Sequence, residues 1–373
     1  MQVLIVGAGV GGLALANGLL ADGHRVRVLE RSAGPRTDGA AVTIFSNGAA
    51  AAAGLGVPLD GLGGDVETLE FCTPDGRPFA RADLRVLHRE TGFGVATVPR
   101  AAILERFAAA LPPDTVRYGC PVADLQVRPD GVTVAGETGD VLVGADGYRS
   151  VVRHTVLDGS PAVRNGWVSW QGLTRALPQL AGDVHARCLV GPAGLCGLMP
   201  AGSGLLQWWF DVPEPAPRDR PVLDWLRDRF ASYAEPVGEL LAGLSGSDVQ
   251  AYPHVLHRVP TRWGTGPATL LGDAAHAFPP SQAQGANQAL EDAWLLRRAL
   301  RTPDDPVGAL RRYERTRSRR VRRISRLAAS EITNRPPGAL TRLAGRALSP
   351  TVTARLQLAR IRSCSSVLND DDG

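Results

Sequence analysis

Residues able to do chemistry gather first at the start of the chain, where Gly7-Ala8-Gly9-Val10-Gly11-Gly12 is followed eighteen residues later by Glu30. Gly7 lets the chain turn tightly, Gly9 lets backbone come close to a pyrophosphate, and Gly12 lets a following helix pack against the strand before it. Helix N-H groups then face the phosphates with about half a positive charge. An acid at the position of Glu30 can accept both hydroxyls of an adenosine ribose. The pattern predicts a dinucleotide site and leaves NAD and FAD both open. A second acid, Asp273, follows the apolar run Ala268 to Leu271. At the C-terminal end of a parallel strand its carboxylate would lie where doubly wound sheets bind ligands, able to accept hydrogen bonds from ligand hydroxyls. Asp146, in Gly144-Ala145-Asp146-Gly147, reads by itself as a turn.

Other chemistries are excluded by what the chain lacks. Its 41 basic residues are all arginine, so Schiff-base chemistry and the P-loop lysine are ruled out. Five cysteines without CxxC spacing and seven scattered histidines predict neither a disulfide framework nor a metal site. A net charge of +4 is too small to imply nucleic acid.

The elements that must position these residues follow from the hydrophobic pattern. Val3 to Val6 predicts a buried parallel strand, Leu13, Leu15, Ala16, Leu19 and Leu20 the apolar face of a helix, and Val26 to Leu29 a second strand. Asn47 is expected to cap an alanine-rich helix that closes at Gly54-Leu55-Gly56. From Thr68 to Val95, Pro74-Asp75-Gly76 is hairpin chemistry and signals an excursion into a second sheet. A helix over Ala101 to Leu111 and a buried strand over Val141 to Val143 return the chain to the first sheet.

Residues 160–260 are strand-rich and carry Trp167, Trp170, Trp208, Trp209 and Phe210, with one helix near Val222 to Leu241. The composition fits a mostly antiparallel sheet whose large side chains face a cavity. Gln284 to Asn287 opens a long helix through Leu300, and the rest, from Val307, is helical and rich in arginine. There, Leu310, Tyr313, Ile324 and Leu327 recur at helical spacing, predicting a packed helix with a solvated basic face. The apolar stretches are far short of a membrane span and the N-terminus runs straight into a strand, so a cytoplasmic protein is expected.

Three stretches together resemble the flavoprotein aromatic hydroxylases, the single-component FAD monooxygenases of the para-hydroxybenzoate hydroxylase type: GAGVGG at Gly7 to Gly12, GADGYRSVVR at Gly144 to Arg153, and GDAAHAFPP with QGANQALEDA at Gly272 to Pro280 and Gln284 to Ala293. The resemblance implies an α/β fold: a Rossmann-like FAD-binding domain from 1–70, 95–160 and 262–373 with C-terminal helices, and a mostly antiparallel substrate domain from 71–94 and 161–261. It implies tightly but non-covalently bound FAD, with NAD(P)H as a transient co-substrate over the same flavin. Oxygen would be taken up as a flavin C4a-hydroperoxide and delivered to an aromatic or polycyclic small molecule by hydroxylation or epoxidation. Neither nucleic acid nor membrane is implied as a partner, and the chain is expected to be a monomer or homodimer.

By that resemblance Glu30, Arg31, Thr43, Arg100, Val122, Asp146 and Asp273 join Gly7, Gly9, Gly11 and Gly12 at FAD, with Asp273 on the ribityl chain. The helix start at Gly285, Ala286 and Asn287 would face the pyrimidine edge of the flavin, where negative charge collects on reduction. Pro279 and Pro280 would form a stiff wall there with few donors. Ala283 stands where the family usually has glycine; a positive φ at this position would cost an alanine roughly 1–2 kcal/mol. Trp170, Gln171 and Trp208 are expected at the substrate. His185, His254 and His257 are able to deprotonate a phenol, but none is assigned as a catalytic base. Two other functions remain open: an FAD-dependent reductase or desaturase of the same fold, and nucleic-acid binding through the arginine-rich stretch Leu310 to Leu327.

Overall fold

The computed structural model describes residues 1–35, 39–157, 159–215, 220–301 and 304–369. Its first sheet is built on Gln2–Val6, whose four last residues are buried on both faces. That accounts for an unbroken apolar strand. Five parallel strands run in the order Ala268–Leu270, Val141–Gly144, Gln2–Val6, Arg25–Leu29 and Val116–Arg117. The three motif-bearing strands are therefore immediate neighbours, although they lie far apart in the chain. Helix Val10–Ala21 packs between this sheet and helix Gly285–Leu300.

A seven-stranded second sheet runs Gln250–Leu256, Val163–Thr174, Leu206–Pro213, Gly194–Pro200, His185–Gly191, Thr68–Cys72 and Pro78–Asp83. Its pairs are antiparallel except His185–Gly191 with Thr68–Cys72. The Pro74-Asp75-Gly76 hairpin supplies the edge, with Gly76 at φ 80°. One face of the sheet is covered by two helices, Val222–Phe230 and Val237–Gly243, rather than by the single helix expected over Val222 to Leu241. Pro236 separates them, since it lacks an N-H for the helical ladder and disfavours helix at Glu235.

A three-stranded bridge, Ala41–Ile44, Ala96–Pro99 and Gly64–Asp65, lies beside the Ser46–Gly54 helix. Asn47 does not cap that helix. It lies inside the first turn, fully buried, and its amide donates to Gln284 Oε1 at 3.1 Å.

At the C-terminal end, Pro306–Ala329 is a single long helix. Its basic side chains are not simply solvated: Arg317 is fully buried, Arg322 donates to the Val259 carbonyl at 2.8 Å, and Arg311 donates to the carbonyls of Gly264 and Ala268. Helices Ala339–Ala347 and Pro350–Cys364 then lie along the Pro78–Asp83 edge strand. No helix among the described residues is long and apolar enough to cross a membrane.

Candidate functional site

The chain turns from the first strand into the first helix at Gly7, whose φ of 107° suits glycine. A Cβ on Gly12 would collide with the Gly7 carbonyl and press on Ala145, so only glycine lets this helix sit so close to the strand and to the second motif. Gly9 precedes the helix without a side-chain cap, and a Cβ there would meet no heavy atom closer than 4.0 Å. Space therefore remains in front of the helix. The first N-H bonded along it is that of Leu13, to Gly9 at 3.0 Å, leaving the N-terminal N-H groups free to face a ligand. Gly11 abuts Leu271 and Ala289, which brings the third motif and the start of the Gly285–Leu300 helix to the same place.

Glu30 is buried at the tip of the second strand. Its Oε2 accepts from the Ala8 N-H at 2.8 Å and its Oε1 from the Ser32 N-H at 2.9 Å. Burial works to raise its pKa, but these N-H groups outweigh it and hold the carboxyl below its ordinary range. Each oxygen keeps a further acceptor position. The Cys120 N-H donates to the Glu30 carbonyl at 2.8 Å, which sets half-buried Val122 beside the same strand end, while Arg31 is exposed.

Asp146 ties its motif to the helix that follows. Its carboxylate accepts from the Ser150 hydroxyl and from the Val151 N-H at 2.7 Å, tying down the start of helix Val151–Val156. The motif reaches the third segment through Arg153. This buried guanidinium donates to the carbonyls of Ala274 at 3.2 Å and Ala275 at 2.9 Å, directly behind Asp273.

Asp273 is exposed, yet the protein packed around it desolvates its carboxyl. That desolvation pushes its carboxyl above the usual range, opposed by His276 and Arg100 and reinforced by Asp292. Arg100, half-buried at the start of helix Arg100–Ala109, thus lies within electrostatic reach of Asp273. Beyond it, Pro279 is buried and Pro280 is exposed.

The following loop passes through Ala283 at φ 49° and ψ 34°, the left-handed conformation that the replacement of glycine put in question. The Asn287 side chain then stitches the loop to the bridge strand. Its Oδ1 accepts from the Phe45 N-H at 2.9 Å, and its amide donates to the carbonyls of Thr43 at 2.9 Å and Ala283 at 2.8 Å. Both amide hydrogens of that side chain are taken by protein, so the donors that Gly285, Ala286 and Asn287 offer a ligand are backbone N-H groups. The Gln288 N-H is the first to find its helical acceptor, Gln284, at 2.8 Å.

Sequence reasoning missed what holds this loop from behind. Asp292 accepts from the Gly272 N-H at 2.7 Å, lies 2.6 Å from His276 Nε2, and accepts from Arg317 at 2.6 Å. Burial alone would raise the Asp292 pKa, but His276 and Arg317 hold it below its ordinary value. Arg317 also donates to Gln288 Oε1 at 2.7 Å. The available signal was position: residue 317 falls on the inward stripe with Leu310, Tyr313 and Ile324.

Two of the three residues expected at the substrate, Trp170 and Trp208, face the two covering helices. Trp208 is fully buried under the two covering helices, its ring centroid 5.9 Å from that of Phe210, which in turn lies 4.6 Å from Phe230; Trp170 packs against the same cluster. Alternation along the strand sends Gln171 and Trp209 to the opposite face. On that face Gln207 reaches the bridge strand, donating to the Ala41 carbonyl at 2.9 Å, and Thr43 donates to Met199 Sδ at 3.4 Å. Gln207 Oε1 is buried without a partner.

Two helix N-termini, an internally braced acid at a strand tip and an open, deeply set carboxylate thus surround one crevice, and this donor and acceptor set fits a flavin dinucleotide. A family model described as an FAD binding domain matches residues 128–328, more than half of the chain. Over 337 residues, 86% of this chain and 87% of the relative, the sequence is 33% identical to the FAD-dependent urate hydroxylase of Klebsiella pneumoniae subsp. pneumoniae. It is 32% identical over 343 residues, 88% of the chain and 86% of the relative, to the 3-amino-4-hydroxybenzoate 2-monooxygenase of Streptomyces cremeus. The crystal structure of Klebsiella pneumoniae HpxO complexed with FAD and uric acid superposes with a TM-score of 0.88 at 30% identity, covering 97% of each chain. The chain belongs to the FAD-dependent hydroxylases and monooxygenases. It is an oxidoreductase whose cofactor is FAD.

Proposed function

We propose that the chain uses NAD(P)H and O2 to hydroxylate an aromatic or polycyclic small molecule. The named relatives act on urate and on 3-amino-4-hydroxybenzoate, both electron-rich rings, and the same substrate class is proposed here. The reading is supported by the approach of Gly11 to Leu271 and Ala289, which puts the free N-H groups of the first helix beside the strand end that leads to Asp273. Bound FAD supplies the redox chemistry, accepting a hydride and activating O2 for transfer of one oxygen atom. The residues supply everything else.

Free N-H groups after Gly9, with Gly11 and Gly12 packed behind them, receive the pyrophosphate, and Glu30 receives the adenosine ribose, with Arg31 at its rim. Asp273 accepts from the ribityl chain, Arg100 balances nearby negative charge, and Thr43 and Val122 contribute backbone. Asp146 serves by bracing the turn. The N-H groups of Gly285, Ala286 and Asn287 stabilise negative charge at the pyrimidine edge. Pro279 and Pro280 keep donors and water away from the reacting face. Gln171 and Gln207 replace Trp170 and Trp208 as the substrate-facing candidates; the free Oε1 of Gln207 suits an N-H or O-H donor. The division proposed is an FAD part from 1–70, 95–160 and 262–373 and a substrate part from the remainder.

The test is a screen of aromatic compounds for stimulated NAD(P)H oxidation under labelled oxygen. One labelled oxygen atom in the product is expected. A product that gains hydrogen, or loses it, without gaining oxygen would instead identify a reductase or desaturase.

A further inference from the structure

Helix Ala339–Ala347 is turned inside out relative to an ordinary surface helix. Leu340, Leu343, Ala344 and Ala347 form one stripe at helical spacing, and all four are exposed, Leu340 at 83% and Leu343 at 66%. The side held against the protein is the other one. Arg342 and Gly345 are half-buried, and Gly345 approaches the Phe79 carbonyl of the edge strand so closely that a Cβ would collide with it. Leu348, Val352 and Leu356, also exposed, carry the apolar surface onto the next helix. A contiguous apolar surface of this kind marks a place where something binds.

Charge selects the partner. From residue 332 to the end of the sequence there are six arginines, Arg335, Arg342, Arg346, Arg355, Arg360 and Arg362, against three acids, Asp370, Asp371 and Asp372, all among its last residues. Arg355 pairs with Glu90 at 2.9 Å, whereas Arg335, Arg342, Arg346 and Arg360 have no ion pair among the described residues. A second copy of the chain docking through this face would bring arginine against arginine around the same leucines, an arrangement that repels. An anionic surface meets both features at once, because the leucines enter the apolar layer while the arginines snorkel to the head groups.

We propose that the Ala339–Ala347 helix and the start of the next one dock the protein on the surface of an anionic lipid bilayer. The contact is peripheral, and nothing crosses the bilayer. It holds whatever the substrate is.

Vesicle sedimentation with the FAD-loaded full chain tests it. The wild type should pellet with phosphatidylcholine vesicles containing phosphatidylglycerol, remain in solution with phosphatidylcholine alone, and be released by added salt. Leu340→Glu/Leu343→Glu should weaken the pelleting at least tenfold while flavin content, read from visible absorbance, stays unchanged. Wild type that stays in solution with the anionic vesicles, or a double variant that pellets as well as wild type, would overturn the proposal. So would a wild-type dimer in light scattering that the double variant abolishes, because the face would then belong to a second copy. Flavin content in the same samples reports separately on the redox site.

Discussion

His254 is fully buried between two carboxylates, with Nδ1 2.7 Å from Glu331 and Nε2 3.5 Å from Asp211. Burial works to neutralise the ring, but the two carboxylates prevail and raise its pKa from 6.5 to about 9. A histidine with a raised folded-state pKa contributes stability that is complete below about 6.5 and vanishes as pH rises through about 9. The melting temperature should therefore fall between those values, reflecting a loss of roughly 2–3 kcal/mol, and fall less steeply in His254→Gln. Equal slopes for the two proteins would deny the imidazolium this role. The effect should also be structural in origin: Glu331 accepts from Asn334 at 2.9 Å, and the neighbouring Thr333 hydroxyl donates to the Ser281 carbonyl at 2.9 Å, so the cluster braces the loop that leads to Ala283. At Ala283 itself the left-handed backbone costs an L-residue energy that glycine escapes. Ala283→Gly, partly offset by the greater freedom of glycine when unfolded, should stabilise the protein by about 0.5–1 kcal/mol in denaturant titration.

Among elements, the long arginine-rich helix matters most, because Arg317 joins it to helix Gly285–Leu300. Arg317→Met would leave Asp292 and Glu291, 2.6 Å and 3.8 Å from the guanidinium, without their cation. Unfolding free energy should drop by about 3–5 kcal/mol, and FAD affinity should fall with it since Asp292 also holds the Gly272 N-H. A variant that keeps wild-type stability and affinity would show the pair to be dispensable. The elements themselves were largely legible. Apolar runs marked the central parallel strands, the glycine spacing marked the turn, and Pro74-Asp75-Gly76 marked the hairpin. Facing was not legible. In the second sheet both faces are buried, so alternation could not tell Trp170 and Trp208, packed under helices, from Gln171 on the other side. Composition likewise read Arg317 as a solvated residue, and only tertiary pairing supplies the two acids that bury it.

For the whole molecule, the order of strands in the first sheet does the organising. Because Gln2–Val6 lies between Arg25–Leu29 and Val141–Gly144, with Ala268–Leu270 one strand further, four strand ends spread over more than two hundred residues of chain lie side by side at one edge of the sheet. The motifs predicted that meeting; the bracing behind it, Arg153 on Ala274 and Ala275 and Asn287 on Thr43 and Phe45, depends on contacts between distant segments that spacing along a chain does not encode. The central claim is that this crevice grips a single FAD through Asp273. FAD binding, followed by flavin fluorescence on the wild type and Asp273→Ala, tests it most directly. The account predicts one FAD per wild-type chain and an affinity at least tenfold weaker in the variant, as expected when hydrogen bonds to a charged acceptor are lost. Stoichiometric FAD bound by Asp273→Ala with unchanged affinity would contradict it.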